Sequence, residues 1–97
     1  MGKKITLSFG GGMEILFNNT KEREVELPDN VVNIKDLIAY MKDELLQERP
    51  ELFVLNDTVR PGIIVLINNA DWEIEGGLEY EIEKGDEITF ISTLHGG

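Results

Sequence analysis

The sequence closes on Thr93, Leu94, His95, Gly96 and Gly97, and the α-carboxyl of the last glycine is the group with the most open chemistry. Its reference pKa of roughly 3.3 to 3.7 makes it a carboxylate at neutral pH, a poor electrophile that reacts only after activation. Nothing in so acidic a chain supplies the cations that would stabilise an activated carboxyl, so activation must come from a partner. Glycine at 96 and 97 suits such a reaction because a residue without a Cβ passes through a narrow channel, whereas a side chain at 97 would crowd the attacked carbonyl. The competing reading is an ordinary frayed terminus. Other residue types offer less. There is no cysteine, which removes a thiolate nucleophile, a disulfide framework and a thiolate metal site, so any thiol chemistry must be brought by a partner. His95 is the single histidine and, without a Cys/His cluster, reads as a tail contact rather than a ligand or base. Arg60, in Val59-Arg60-Pro61-Gly62, supports a loop, and Trp72 is core or a protein contact. With no nucleophile, acid/base cluster or metal constellation, an enzyme is the reading least supported.

Something must hold that terminus out. The 97 residues, 41% of them apolar, suffice for one domain burying roughly 60 to 70% of the surface its unfolded chain exposes. The expected division is a domain over 1–91 and a flexible tail over 92–97, whose extended reach is about 20 Å. No stretch approaches the roughly 20 apolar residues of a membrane span, and the first residues lack a secretory pattern. The expectation is a soluble intracellular protein, cytoplasmic with the nucleus also open to it. A formal charge of −10 repels a phosphate backbone and argues against direct nucleic-acid binding. The same acidity also keeps a small protein soluble.

Ile5, Leu7 and Phe9 alternate with Thr6 and Ser8, the period of a strand with one buried face. Glycines 10–12 interrupt it and apolar residues resume at Met13, Ile15, Leu16 and Phe17, which predicts a hairpin that Val25 and Leu27 extend. The glycines lack the spacing of a phosphate-binding loop. Ile34, Leu37, Ile38, Met41 and Leu45 mark one face of a helix, capped by Asn33 with Asp36 three residues on and unable to continue far beyond Arg49 because of Pro50. Ile63–Ile67 is short, β-branched and fits a central strand. Trp72 and Ile74 suggest another short strand, Tyr80 and Ile82 an anchored loop or helical turn, and residues 87–92 a final strand. Two strands, a helix and three further strands describe an α+β fold of the β-grasp type, a mixed sheet of four to five strands on one main helix. A ferredoxin-like fold would require a second long helix.

Strand alternation turns Ile88 and Phe90 inward and Glu87, Thr89 and Ile91 outward. Ile63–Ile67 is apolar on both parities, so if Ile63, Val65 and Ile67 face the helix, Ile64 and Leu66 lie on the open face near Ile91. Either these three residues form a docking patch or a loop covers them.

The tail, the segment Val59-Arg60-Pro61-Gly62 through "IIVLINNADWE", the helix exit "ERPELF" and the opening "FGGGMEILF" together resemble the eukaryotic ubiquitin-related modifier family, over residues 5–97. Asn69 departs from the family pattern, where an acid is expected, but falls in a turn. The resemblance implies a sulfur carrier, not an enzyme. Its Gly97 carboxylate is adenylated by a ubiquitin-activating-type enzyme, with ATP and magnesium used by that partner and no cofactor bound by the carrier. A rhodanese-like sulfurtransferase domain converts it to a thiocarboxylate, which supplies a tRNA-thiolating enzyme acting on the wobble uridine. Conjugation to lysines of target proteins is also implied. Thr93, Leu94, His95 and Gly96 would present the terminus, and Ile64, Leu66 and Ile91 resemble the recognition patch of ubiquitin-like proteins. The alternatives are a carrier for molybdopterin or thiazole synthesis and a β-grasp interaction domain with an inert tail.

Overall fold

A computed structural model describes residues 2–46 and 49–93. In chain order its elements are β1 (Lys3–Gly10), a 3-10 turn (Met13–Phe17), β2 (Glu22–Leu27), α1 (Ile34–Tyr40), β3 (Val54–Leu55), β4 (Thr58–Val59), β5 (Ile63–Ile67), β6 (Ala70–Asp71), α2 (Trp72–Glu75) and β7 (Glu87–Ser92). Five strands form one mixed sheet in the order β2-β1-β7-β5-β6, and β3 pairs with β4 in a separate hairpin. β1 and β7 run parallel, whereas β2 on β1, β5 on β7 and β6 on β5 are antiparallel. This is the expected β-grasp arrangement, one main helix covering one face of a mixed sheet.

The core follows from alternation. Ile5, Leu7 and Phe9 of β1, Val25 and Leu27 of β2, Ile63, Val65 and Ile67 of β5, and Ile88 and Phe90 of β7 are all buried on the helix side. They meet Ile34, Leu37 and Ile38 of α1. All four phenylalanines of the chain join in the interior: Phe9 stacks on Phe17 at 4.5 Å between ring centroids, and Phe53 lies edge-on to Phe17 at 5.2 Å and to Phe90 at 5.7 Å. Each such pair adds roughly 0.5 to 1.5 kcal/mol beyond area burial.

The capping box appears as expected. Asn33 Oδ1 accepts from the Asp36 amide at 2.9 Å, and Asp36 Oδ2 accepts from the Asn33 and Val32 amides. The Tyr80 carbonyl takes the Ile34 amide, another donor that the helix itself leaves unpaired. Regular α-helix ends at Tyr40, earlier than the apolar spacing suggests, and continues as a π turn (Met41–Leu45) that still buries Met41 and Leu45.

Three expectations change. Residues 13–17 are not the second strand of a hairpin but a 3-10 turn burying Met13, Leu16 and Phe17 and exposing Ile15, and β1 instead pairs with β2. Ile63–Ile67 is not the central strand, because β7 takes the middle of the sheet between β1 and β5. Trp72 and Ile74 belong to a helical turn capped by Asp71, whose Oδ1 accepts from the Glu73 amide at 2.9 Å, and Ile74 is 79% exposed. The final strand, Glu87–Ser92, has the expected bounds.

Candidate functional site

Two features meet at one end of the open sheet face: an apolar group and the point where the chain leaves the sheet. In the ladder of β5 on β7, Ile64 lies opposite Ile91 and Leu66 opposite Thr89. On the other side of β7, Gly10 lies opposite Ile91, Ser8 opposite Thr89 and Thr6 opposite Glu87. Directly opposed residues share a face, so Ile64, Ile91 and Gly10 form one row and Leu66, Thr89 and Ser8 the next. Ile64 is 43% exposed and Leu66 and Ile91 half-buried. The three apolar residues thus adjoin one another on the face away from α1. Gly10 adds no side chain to its row, where a Cβ would come within 3.7 Å of Ile91 Cγ1.

Around this group the face is acidic. Asp71 opposes Leu66 from β6, Glu22 opposes Ser8 and Glu24 opposes Thr6 from β2, and Glu26 opposes Lys4. Glu87 completes the set and accepts a hydrogen bond from the Ser8 hydroxyl at 2.9 Å. A partner with a small apolar contact and flanking cations would be complementary to it.

The chain departs beside the apolar row. Ser92 pairs with Ile63, and the Thr93 amide donates to the Gly62 carbonyl at 2.9 Å, with the Thr93 hydroxyl donating to the same oxygen. The turn carrying that carbonyl is closed by the Ile63 amide on the Arg60 carbonyl at 3.1 Å. Arg60 holds this loop as expected, its amide donating to the Phe53 carbonyl and its Nη1 to that of Glu51. Trp72 packs against the core. Leu94, His95, Gly96 and Gly97 lie outside the described residues.

A buried cluster secures the far end of β7. Asp86, 7% exposed, accepts from Asn68 Nδ2 at 2.9 Å, the Tyr80 hydroxyl at 2.7 Å and the Glu83 amide at 2.9 Å. Burial alone would raise this carboxyl, but the donors Asn68, Glu83 and Tyr80, with the charge of Lys3, outweigh it and hold Asp86 below its ordinary value. Burial first, then the Asp86 hydrogen bond and the charges of Asp86, Glu83 and Glu75, pushes the Tyr80 phenol well above its ordinary range. Every polar partner here is already engaged, and the cluster reads as a structural fastener. Among the described residues, no three His, Cys, Asp or Glu side chains gather to hold a metal ion, and no helix is long and apolar enough to cross a membrane.

Sequence reasoning located the apolar residues on the open face but not the flanking of the exit by Gly62 on one side and glycines 10 and 11 on the other. The glycine run at the end of β1 was a visible signal. Its neighbourhood was not, because it depends on the parallel pairing of the first strand with the last.

A mixed five-stranded sheet on one helix, with the chain leaving from its middle strand, defines a ubiquitin-like β-grasp protein. The family model for Urm1, the ubiquitin related modifier, matches residues 4–97. A ubiquitin-related modifier 1 homolog of Dictyostelium discoideum is 58% identical, covering 97% of this chain and 99% of its own. The human ubiquitin-related modifier 1 is 50% identical over 96% of this chain and 94% of its own. The solution structure of Urm1 from Trypanosoma brucei superposes with a TM-score of 0.85 at 39% identity, covering 99% of this chain and 97% of that one. The chain therefore belongs to the ubiquitin-related modifier family, a family of ubiquitin-like modifiers and sulfur carriers.

Proposed function

We propose that this chain carries sulfur as a thiocarboxylate on Gly97, for 2-thiolation of the tRNA wobble uridine, and that the same activated end is conjugated to lysines of target proteins. The reading rests on membership of the family across residues 4–97, with the apolar group of the open face lying beside the chain's exit at Thr93. In the first step a Gly97 carboxylate oxygen attacks the α-phosphate of ATP and pyrophosphate leaves, giving an acyl-adenylate. The ATP and magnesium belong to a ubiquitin-activating-type adenylyltransferase. A persulfide on its rhodanese-like sulfurtransferase domain then attacks the acyl carbon and expels AMP. Cleavage of the sulfur–sulfur bond by a second partner thiol releases the thiocarboxylate and leaves a disulfide on the partner. The tRNA-thiolating enzyme accepts the sulfur, while a lysine amine attacking the activated carbonyl forms an isopeptide bond instead. In this scheme the chain is a co-substrate in the cytoplasm, and in the nucleus where targets lie. It binds no cofactor, membrane or nucleic acid directly.

Docking falls to Ile64, Leu66 and Ile91, and presentation of the terminus to Thr93, Leu94, His95 and Gly96. Incubation of the full chain with ATP, magnesium, a persulfide donor and the activating enzyme should replace one terminal oxygen by sulfur, read as intact mass. Deletion of Gly97 should abolish that change while leaving the fold intact. An unchanged mass for the full chain under the same conditions would mean an interaction domain with an inert end.

A further inference from the structure

The geometry points to Gly11 as a positioning residue that, with the Gly62 carbonyl, forms a two-sided collar fixing the direction in which the chain leaves the sheet. Its catalytic consequence rests on the sulfur-carrier reading; its structural content does not. Gly11 follows β1, and because β1 lies parallel to β7 it sits against the last residues of that strand. A Cβ on Gly11 would fall far inside van der Waals contact of the Ser92 carbonyl oxygen and 3.2 Å from Ile91 Cγ2. Backbone oxygen has no rotamer through which to retreat, so any side chain at 11 must displace Ser92 or the loop itself. Gly11 also has φ of +63°, a region L side chains rarely adopt. Opposite, the Gly62 carbonyl takes both the amide and the hydroxyl of Thr93. Ser92 and Thr93 are thus confined from two loops at the point where the terminus is aimed, and the offset of a reacting atom by 1 Å is enough to cost about 100-fold in rate.

Gly12 supplies the control. Its φ is +98°, yet a Cβ there would meet nothing within 4 Å. Gly12→Ala therefore carries backbone strain without the clash on Ser92, and Gly11→Ala carries both. In the full chain, Gly11→Ala should speed hydrogen exchange of the Thr93 amide at least tenfold relative to Gly12→Ala, with the Phe90 amide protected equally in both. With the activating enzyme, ATP and a persulfide donor, Gly11→Ala should lower kcat for sulfur uptake at least tenfold relative to Gly12→Ala, beyond whatever its 3.2 Å approach to Ile91 Cγ2 does to the Kd for capture measured without ATP. Thr93→Val, which removes the hydroxyl contact, should lower kcat several-fold and leave that Kd unchanged. Equal Thr93 exchange in the two alanine variants overturns the collar, as does a loss confined to Kd with kcat unchanged. Should Gly11→Ala fail to fold, Thr93→Val decides, and an unchanged kcat overturns the inference. If the wild-type chain takes up no sulfur, the carrier reading fails, and the Thr93 exchange comparison still decides the collar.

Discussion

Asp86 shows how one side chain can join segments far apart in the chain. Its carboxylate gathers the β5–β6 turn through Asn68 and the segment before β7 through Tyr80 and Glu83, while its main-chain carbonyl accepts from the Thr6 amide of β1. Asp86→Asn turns one acceptor oxygen into a donor facing other donors, and should destabilise by about 1 to 3 kcal/mol at pH 7 in urea titrations. The pH dependence has a definite sign. The folded-state pKa lies below the unfolded value of about 3.9, so the stabilisation is fully present above that value and is lost as pH falls through the folded one. The wild type should therefore lose stability more steeply than Asp86→Asn below about pH 4, and parallel acid curves would refute this. Tyr80 contributes oppositely, its stabilisation declining as pH rises above its ordinary phenol value. None of this was legible beforehand: an aspartate in Lys84-Gly85-Asp86 reads as turn chemistry, and only the meeting of remote segments makes it a hub.

At the level of elements, periodicity separates what could be read from what could not. The strand of Ile5, Leu7 and Phe9 and the helix start at Asn33 and Asp36 were plain, because alternation and capping are local. Asn33→Ala should cost about 1 kcal/mol, lowering Tm by roughly 4 to 8 °C for a domain of this size. Residues 13–17 misled because a glycine loop followed by apolar residues also suits a hairpin. Their buried positions 13, 16 and 17 nevertheless carry helical spacing, a signal present in the sequence and overruled by the preceding strand. Phe53 sits outside any periodic apolar pattern, yet its ring joins Phe17 and Phe90 in the core. Phe53→Ala should destabilise by about 3 to 5 kcal/mol, measured by denaturant unfolding. The central place of β7 was hidden for a different reason, since strand order depends on pairings across the whole chain. On the open face, Ile91→Asp should weaken capture by the activating enzyme at least tenfold while leaving Tm within a few degrees. A melted domain would show that Ile91 supports the core more than it docks.

For the molecule as a whole, charge and topology act together. The formal charge of −10 includes Glu22, Glu24, Glu26, Asp71 and Glu87 on the open face, so association with a basic partner should be steered electrostatically. Raising salt from 0.05 to 0.5 M should slow kon by roughly tenfold or more in stopped flow while altering koff little. A salt-independent kon would locate docking elsewhere. The fixing of Thr93 to Gly62 also has a mechanical result. Beyond it lie residues 94–97, which at full extension span at most about 14 Å. Under the proposed carrier reading, sulfur held on Gly97 would therefore not be ferried between distant centres on a swinging arm. On that reading each donor and acceptor would have to clasp the folded body itself, nearly surface to surface, so successive hand-overs would require complete release and fresh encounter, and the body's own diffusion would become the transport step.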